Sequence, residues 1–129
     1  VSIRGKRKSA LGKLIAADIS RLSDPQFNTL DAPYAIVISG VGGTGIVTLS
    51  ALLGVAAHLD GRGINVLDMT GLAQKFGAVS SHIQIAATPD ELYAARIAAG
   101  HADLLLACDM VTASNDDTLA KLDPAHTHA

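Results

Sequence analysis

Four short apolar runs along the chain predict four buried β-strands. They span residues 35–39, 64–68, 83–87 and 102–107, with turn-forming residues between them. Strands that are apolar without alternation are typical of a parallel sheet covered on both faces. A long apolar segment, 45–59, follows the first run at helical length, so strand, helix and strand alternate as in a βαβ unit.

Two further helices are predicted in the second half of the chain. Thr88 is placed to cap a helix over 88–99, with Pro89 at its first position and Glu91 completing a capping box. A shorter helix is predicted over 114–122, where acidic residues in the first turn favour the helix dipole.

Together these elements predict an α/β fold, a Rossmann-like three-layer domain with a mostly parallel sheet of at least four strands. The direction of the third strand stays open, because the connection that precedes it is short for a parallel crossover.

The N-terminal region shows a different pattern. Residues 9–22 have one apolar face at helical spacing, and 23–34 have turn formers without periodicity. That face is formed by Leu11, Leu14, Ile15, Ile19 and Leu22. We therefore predict an N-terminal helix and linker over 1–32 and the Rossmann-like domain over 33–129. Because there is no initiator Met and 125–129 only approaches a fifth strand, we expect a fragment of a longer chain, truncated at the C-terminus.

Composition and charge narrow the functional classes. The 129 residues are 49% hydrophobic and 3% aromatic, and carry a net charge of −2. Half of the basic residues precede the first acid, Asp18, so the body from residue 14 onward is acidic, which argues against a nucleic-acid surface. The basic residues before Asp18 are Arg4, Lys6, Arg7, Lys8 and Lys13. No apolar run reaches membrane-spanning length. A single cysteine excludes an internal disulfide and fits a reducing cytoplasm.

A glycine loop links the first strand to the helix. Gly40, Gly42 and Gly45 match the G-x-G-x-x-G fingerprint, and Asp68 ends the second strand, where a dinucleotide site places its ribose-binding acid. By spacing alone the loop suggests NAD or FAD. The alternative is a tight turn that lets the helix pack on the sheet.

Other polar residues have structural alternatives to a chemical role. His82 can be a hydrogen-bonded structural residue, Cys108 a buried inert thiol and Asp109 a helix cap. His126 and His128 lie two apart without a third ligand nearby, so a metal site is not predicted.

A second motif resembles a known family. The glycine loop, Gly40-Val41-Gly42-Gly43-Thr44-Gly45, is followed by Gly71-Leu72-Ala73-Gln74-Lys75, Gly77-Ala78-Val79 and Ser81-His82. Together they resemble the gamma domain of 2-oxoacid:ferredoxin oxidoreductases, most closely that of the long-chain indolepyruvate enzymes. Where that family commonly has two glycines after Gln-Lys, this chain has Phe76 before Gly77.

The resemblance implies a part of an enzyme rather than a complete one. The parent reaction is oxidative decarboxylation of an aryl 2-oxoacid, with coenzyme A as acyl acceptor and ferredoxin as electron acceptor. Thiamine diphosphate, magnesium and iron–sulfur clusters are expected in the parent enzyme, and no cofactor is expected in the fragment. We therefore expect no catalytic residue here, and no activity of the fragment alone.

The motifs define a candidate cofactor-binding or interface loop and suggest partners. Its residues are Gly40, Gly42, Gly43, Thr44, Gly45, Gln74, Lys75, Ser81 and His82. The expected partners are other domains or subunits of the oxidoreductase, ferredoxin through the parent enzyme, and a second copy of the chain in a homodimer; neither nucleic acid nor membrane is expected. Two alternatives remain: a free-standing NAD-binding module and a purely structural interaction domain.

Overall fold

A computed structural model describes residues 29–71 and 77–129. The predicted helix over 9–22, Gln74 and Lys75 lie outside the described residues, and the domain boundary after residue 32 stays a prediction. The strands are β1 (Tyr34–Val41), β2 (Gly63–Thr70), β3 (Ala78–Ala86) and β4 (Leu104–Ala107). The helices are α1 (Ile46–Leu59), α2 (Met110–Ala113) and α3 (Asp116–Leu119), with a 3-10 turn at Pro89–Glu91.

All four predicted strands form one sheet, in the order β2-β3-β1-β4. The prediction of a mostly parallel sheet was wrong, because β3 pairs antiparallel with both β1 and β2 and only β1 and β4 pair in parallel. The reason is the length of one connection. Only residues 71–77 join β2 to β3, whereas a parallel crossover needs about a dozen residues or more. The chain therefore turns back as a hairpin and inserts β3 between β1 and β2.

Helix α1 packs on one face of this sheet. That face holds a core of Ile36, Ile38, Ile46, Val79 and Ile83. The helix is apolar nearly all round. Among the described residues one side stays open: Leu52, Val55 and Leu59 expose 64%, 58% and 81% of their surface.

The opposite face is covered by the segment after β3 and by the short helices. Its core contains Ala35, Val37, Ile97, Ala102 and Leu105. The predicted helix over 88–99 is wrong beyond its first turn, since only Pro89–Glu91 is helical. Tertiary structure overrides the helical propensity here. The Ile97 amide donates to the His82 ring, which commits a donor that a helix would need and places Ile97 in the core.

The predicted helix over 114–122 is present as a shorter element. Asn115 accepts a hydrogen bond from the Thr118 amide and starts α3. Asp109 caps a separate turn, α2, by accepting from the Thr112 amide at 2.8 Å. After α3, Leu122 leaves the helix and pairs with Ala102 in an isolated bridge.

Candidate functional site

The glycine loop connects β1 to α1 through two left-handed residues. Gly43 and Gly45 have φ angles of 84° and 96°, which residues with a side chain rarely adopt. The Thr44 hydroxyl donates to the Val41 carbonyl at 2.6 Å and closes the turn from within. Gly43, Thr44 and Gly45 are exposed, so this part of the loop faces outward.

The second glycine of the motif is joined to the second motif. The Gly42 amide donates to the Gly77 carbonyl at 2.8 Å. A Cβ on Gly42 would lie 3.3 Å from the same carbonyl oxygen, tighter than most such contacts. The two segments that carried the family resemblance are thus hydrogen-bonded to each other. Glycine at position 42 allows its backbone to come close to the backbone of Gly77.

The first glycine serves the packing of the helix on the sheet. A Cβ on Gly40 would lie 2.5 Å from Ile46 Cδ1 and 3.3 Å from the Cys108 Cβ.

A pocket of about 230 Å³ opens beside the loop, where the first turn of α1 begins. The N-terminus of a helix favours an anion. However, the Gly42 amide, which in a dinucleotide site would face the ligand, is already engaged by Gly77.

Asp68 is placed differently from a ribose-binding acid. Because β3 lies between β1 and β2, Asp68 is two strand spacings, about 10 Å, from the strand that leads into the glycine loop. Its Oδ1 accepts from the Ser50 hydroxyl at 2.8 Å and also from the Ser81 hydroxyl. Both serines are fully buried. Asp68 therefore ties α1 and β3 to the edge strand, a role that its spacing did not reveal.

Ser81 and His82 are adjacent in sequence but lie on opposite faces of the sheet, since side chains alternate along a strand. His82 is fully buried, and its Nδ1 accepts from the Ile97 amide at 3.0 Å. The neutral ring therefore carries its proton on Nε2, which has no partner among the described residues. Burial, followed by the charges of Lys121 and Arg96, lowers the pKa of His82 below 6.5. The structural interpretation of His82 fits this geometry.

A charged cluster beside His82 was missed from the sequence. Lys121 exposes 7% of its surface, and its Nζ lies 3.2 Å from Asp117 Oδ1. Arg96 reaches the same carboxylate at 3.1 Å. The hydrogen bond from Lys121 lowers the pKa of Asp117. The i, i+4 spacing of Asp117 and Lys121 was a readable signal of the pair, but nothing in the sequence indicated its contact with Arg96.

The remaining candidates do not form a reactive site. Cys108 is exposed, which corrects its prediction as a buried thiol, because it lies one residue beyond the end of β4. Asp109 caps a helix, which was the structural alternative to a chemical role. His126 contacts Asp103, and His128 pairs with Leu104 in an isolated bridge beside β4.

The described residues offer neither a metal site nor the cysteines of an iron–sulfur cluster. Within 29–71 and 77–129, no group of three or more His, Cys, Asp or Glu side chains could hold a metal ion. One cysteine in the whole chain cannot supply the four thiolates that an iron–sulfur cluster usually needs. In the same described part, no helix has both the length and the apolar character to cross a membrane.

Comparisons with known proteins agree with the fold and the two motifs. The "Indolepyruvate oxidoreductase subunit IorB" of Pyrococcus horikoshii is 40% identical over 80 residues, which cover 62% of this chain and 38% of that protein. The protein of the same name from Thermococcus kodakarensis is 39% identical, with the same coverage of both chains. The chain thus spans well under half the length of these curated relatives.

A solved structure shows the same fold. Pyruvate oxidoreductase subunit PORC from Thermotoga maritima superimposes with a TM-score of 0.56 at 18% identity, over 72% of this chain and 46% of that one. The sequence profile described as "Pyruvate ferredoxin/flavodoxin oxidoreductase" matches residues 35–127, which is most of the chain. The chain therefore belongs to the pyruvate ferredoxin/flavodoxin oxidoreductase family.

Proposed function

We propose that this chain is the gamma domain of an indolepyruvate:ferredoxin oxidoreductase. That enzyme oxidatively decarboxylates aryl 2-oxoacids to acyl-CoA and passes the electrons to ferredoxin. The observation that carries the proposal is the 40% identity over 80 residues to an indolepyruvate oxidoreductase subunit. The family match over residues 35–127 supports it.

Within that enzyme the chain has an architectural role. We assign thiamine diphosphate with its magnesium ion and the iron–sulfur clusters to other parts of the enzyme, and the single cysteine of this chain supports that assignment for the clusters. The engaged Gly42 amide and the position of Asp68 argue against the free-standing NAD-binding module. The 129-residue chain alone is therefore expected to be inactive.

The surface of the glycine loop is the proposed contact with neighbouring domains. Its exposed residues are Gly43, Thr44 and Gly45, and the neighbouring Gly42 amide donates to the Gly77 carbonyl. Gly40, Ser81 and His82 support this surface from the sheet, where each is buried. We propose a cytoplasmic location, where ferredoxin is available as electron acceptor.

We also propose a homodimer that forms through the outer edge of β2. That strand lies at one end of the sheet order, and no described strand pairs with its outer side. An open edge is a template for pairing with a second copy. Sedimentation equilibrium at micromolar concentration tests this: a dimer is expected, and a single species of 13.2 kDa excludes it.

Affinity purification from the source cells tests the architectural role. A tag added to this chain should recover, in constant ratio, polypeptides that carry the missing cluster cysteines and a thiamine diphosphate motif. An untagged strain is the control. Recovery of the tagged chain by itself, at low salt and without detergent, contradicts membership in a larger enzyme.

A further inference from the structure

A groove runs along the C-terminal half of α1 and is open in the described part of the chain. It has a volume of about 720 Å³ and an apolar floor. Leu53, Ala56, Ala57 and Ile85 line it, and Leu30 stands at its edge. The exposed side chains of Leu52 and Leu59 lie within one turn of Ala56 and extend the apolar surface. A soluble domain seldom leaves such a continuous patch without an occupant.

We propose that residues 9–22 of this same chain occupy the groove. This inference does not depend on the proposed function. Residues 1–28 lie outside the described residues, and the chain that follows them passes Leu30, which itself lines the groove. The unassigned N-terminal segment therefore leads directly into the open surface.

The connection is long enough for this docking. The eight residues from Leu22 to Leu30 span at most about 27 Å when extended. The 14 residues of α1 are about 21 Å long. The segment can thus lie along any part of α1 without strain. It also has a matching apolar face, which recurs at helical spacing: Leu11, Leu14, Ile15, Ile19 and Leu22.

Charge favours the same pairing. All five charged residues before Leu14 are basic. Acidic side chains gather where α1 ends and β2 begins. Asp60 lines the groove, Asp31 is next to Leu30, and the turn that contains Asp90 packs against Gly63. Arg62, also at this end of the groove, forms an ion pair with Asp60 at 3.3 Å, so the negative charge that favours the pairing comes from Asp31 and Asp90. Opposite charges of this kind select a partner and its orientation more than they add affinity.

Docking within one chain is favoured over docking on a second copy. A short connection gives the segment an effective concentration in the millimolar range. A second chain at micromolar concentration competes at a disadvantage of about a thousandfold. Residues 9–22 of the same chain thereby cover the open side of α1.

Disulfide trapping in the 129-residue chain tests the proposal. In a Cys108→Ser background, Ile15→Cys is combined with Ala56→Cys in the groove. The matched control combines Ile15→Cys with Val111→Cys, which is exposed at the opposite end of β1. Under mild oxidation we expect the groove pair to form an intrachain disulfide about tenfold faster than the control pair. Equal rates overturn the proposal, and so does a disulfide that joins two chains, which identifies a second copy as the occupant.

Limited proteolysis provides a test without engineered thiols. Trypsin cleaves after Lys13 and Arg21, which the docked segment shields. Ala56→Glu places a charge in the groove and is expected to raise the rate of both cleavages about tenfold. Ala51→Glu, at an exposed position of α1 that does not line the groove, is the control and is expected to leave the rate unchanged. If both substitutions, or neither, accelerate cleavage, the segment does not occupy the groove.

Discussion

Asp68 connects three elements through one carboxylate oxygen. Asp68→Ala leaves the buried Ser81 hydroxyl without its acceptor, whereas the Ser50 hydroxyl keeps a second one, the Val47 carbonyl at 2.9 Å. We expect the free energy of unfolding to fall by about 1–3 kcal/mol, mostly from Ser81. Urea denaturation measures this change. Asp60→Ala removes an exposed ion pair with Arg62 and should change stability by less than about 1 kcal/mol. Equal effects of the two substitutions would refute the role assigned to Asp68.

His82 makes stability depend on pH in one direction. Its pKa is lowered in the folded chain, first by burial and then by Lys121 and Arg96, although Asp117 opposes these effects. The unfolded chain therefore binds a proton that the folded chain does not accept, and stability falls as pH drops below 6.5. This contribution has a slope of at most about 1.4 kcal/mol per pH unit.

The pH dependence of unfolding between pH 7.5 and 5.5 checks this direction. His82→Asn retains an acceptor for the Ile97 amide and should flatten the dependence. Ser80→Ala is the control, because Ser80 lies on the same face of β3 and its side chain does not titrate. This variant should lose stability at low pH as the wild type does. A fall that survives in His82→Asn would assign the dependence to another group.

At the scale of residues, the sequence indicated positions better than partners. Asp68 was predicted at the end of β2 and lies two residues before that end, and its contact with Ser50 depends on how α1 lies across the sheet. Similarly, His82 was predicted just before the strand at 83–87 but lies within β3, and the amide that binds its ring belongs to Ile97, 15 residues away. Contacts between residues so far apart in sequence are set by tertiary packing, which local sequence patterns do not encode.

At the scale of elements, the glycine loop is held by backbone conformation. Gly45 precedes α1 with a φ of 96°, and a Cβ added there would meet no atom within 4 Å. The cost of Gly45→Ala is therefore conformational, and we expect a loss of about 1–2 kcal/mol. Gly45→Asn should lose less, because Asn tolerates the left-handed region. Thermal unfolding of the two variants provides the comparison. A loss that is the same for both would place the cause outside the backbone.

The strands and α1 were predictable because each contains an apolar run of strand or helix length, bounded by turn-forming residues. The direction of β3 was not predictable from the pattern of the strand itself, since it depends on the connection over 71–77, which is too short for a parallel crossover. The helix over 88–99 failed for a related reason. Its signals locate the helical turn at Pro89–Glu91, but Thr88 makes no side-chain cap hydrogen bond there, and Ile97 lies in the core opposite α1.

At the scale of the whole molecule, one strand distinguishes this fold from a dinucleotide-binding half. β1, β2 and β4 run in the same direction, and inserting β3 moves the end of β2 away from the glycine loop. The loop is left to bind the neighbouring connection through Gly42 and Gly77. The family resemblance read from these two motifs agrees with the comparisons, whereas G-x-G-x-x-G alone pointed to NAD.

The measurement that tests the account most directly is the activity of the material purified through this chain from its source cells. The recovered complex should reduce methyl viologen when indolepyruvate and coenzyme A are both present, and each substrate should be required. The recombinant 129-residue chain, assayed with added thiamine diphosphate and magnesium, should give only background. Turnover by the chain alone, or a recovered complex that is inactive toward indolepyruvate while the cell extract remains active, would contradict the account.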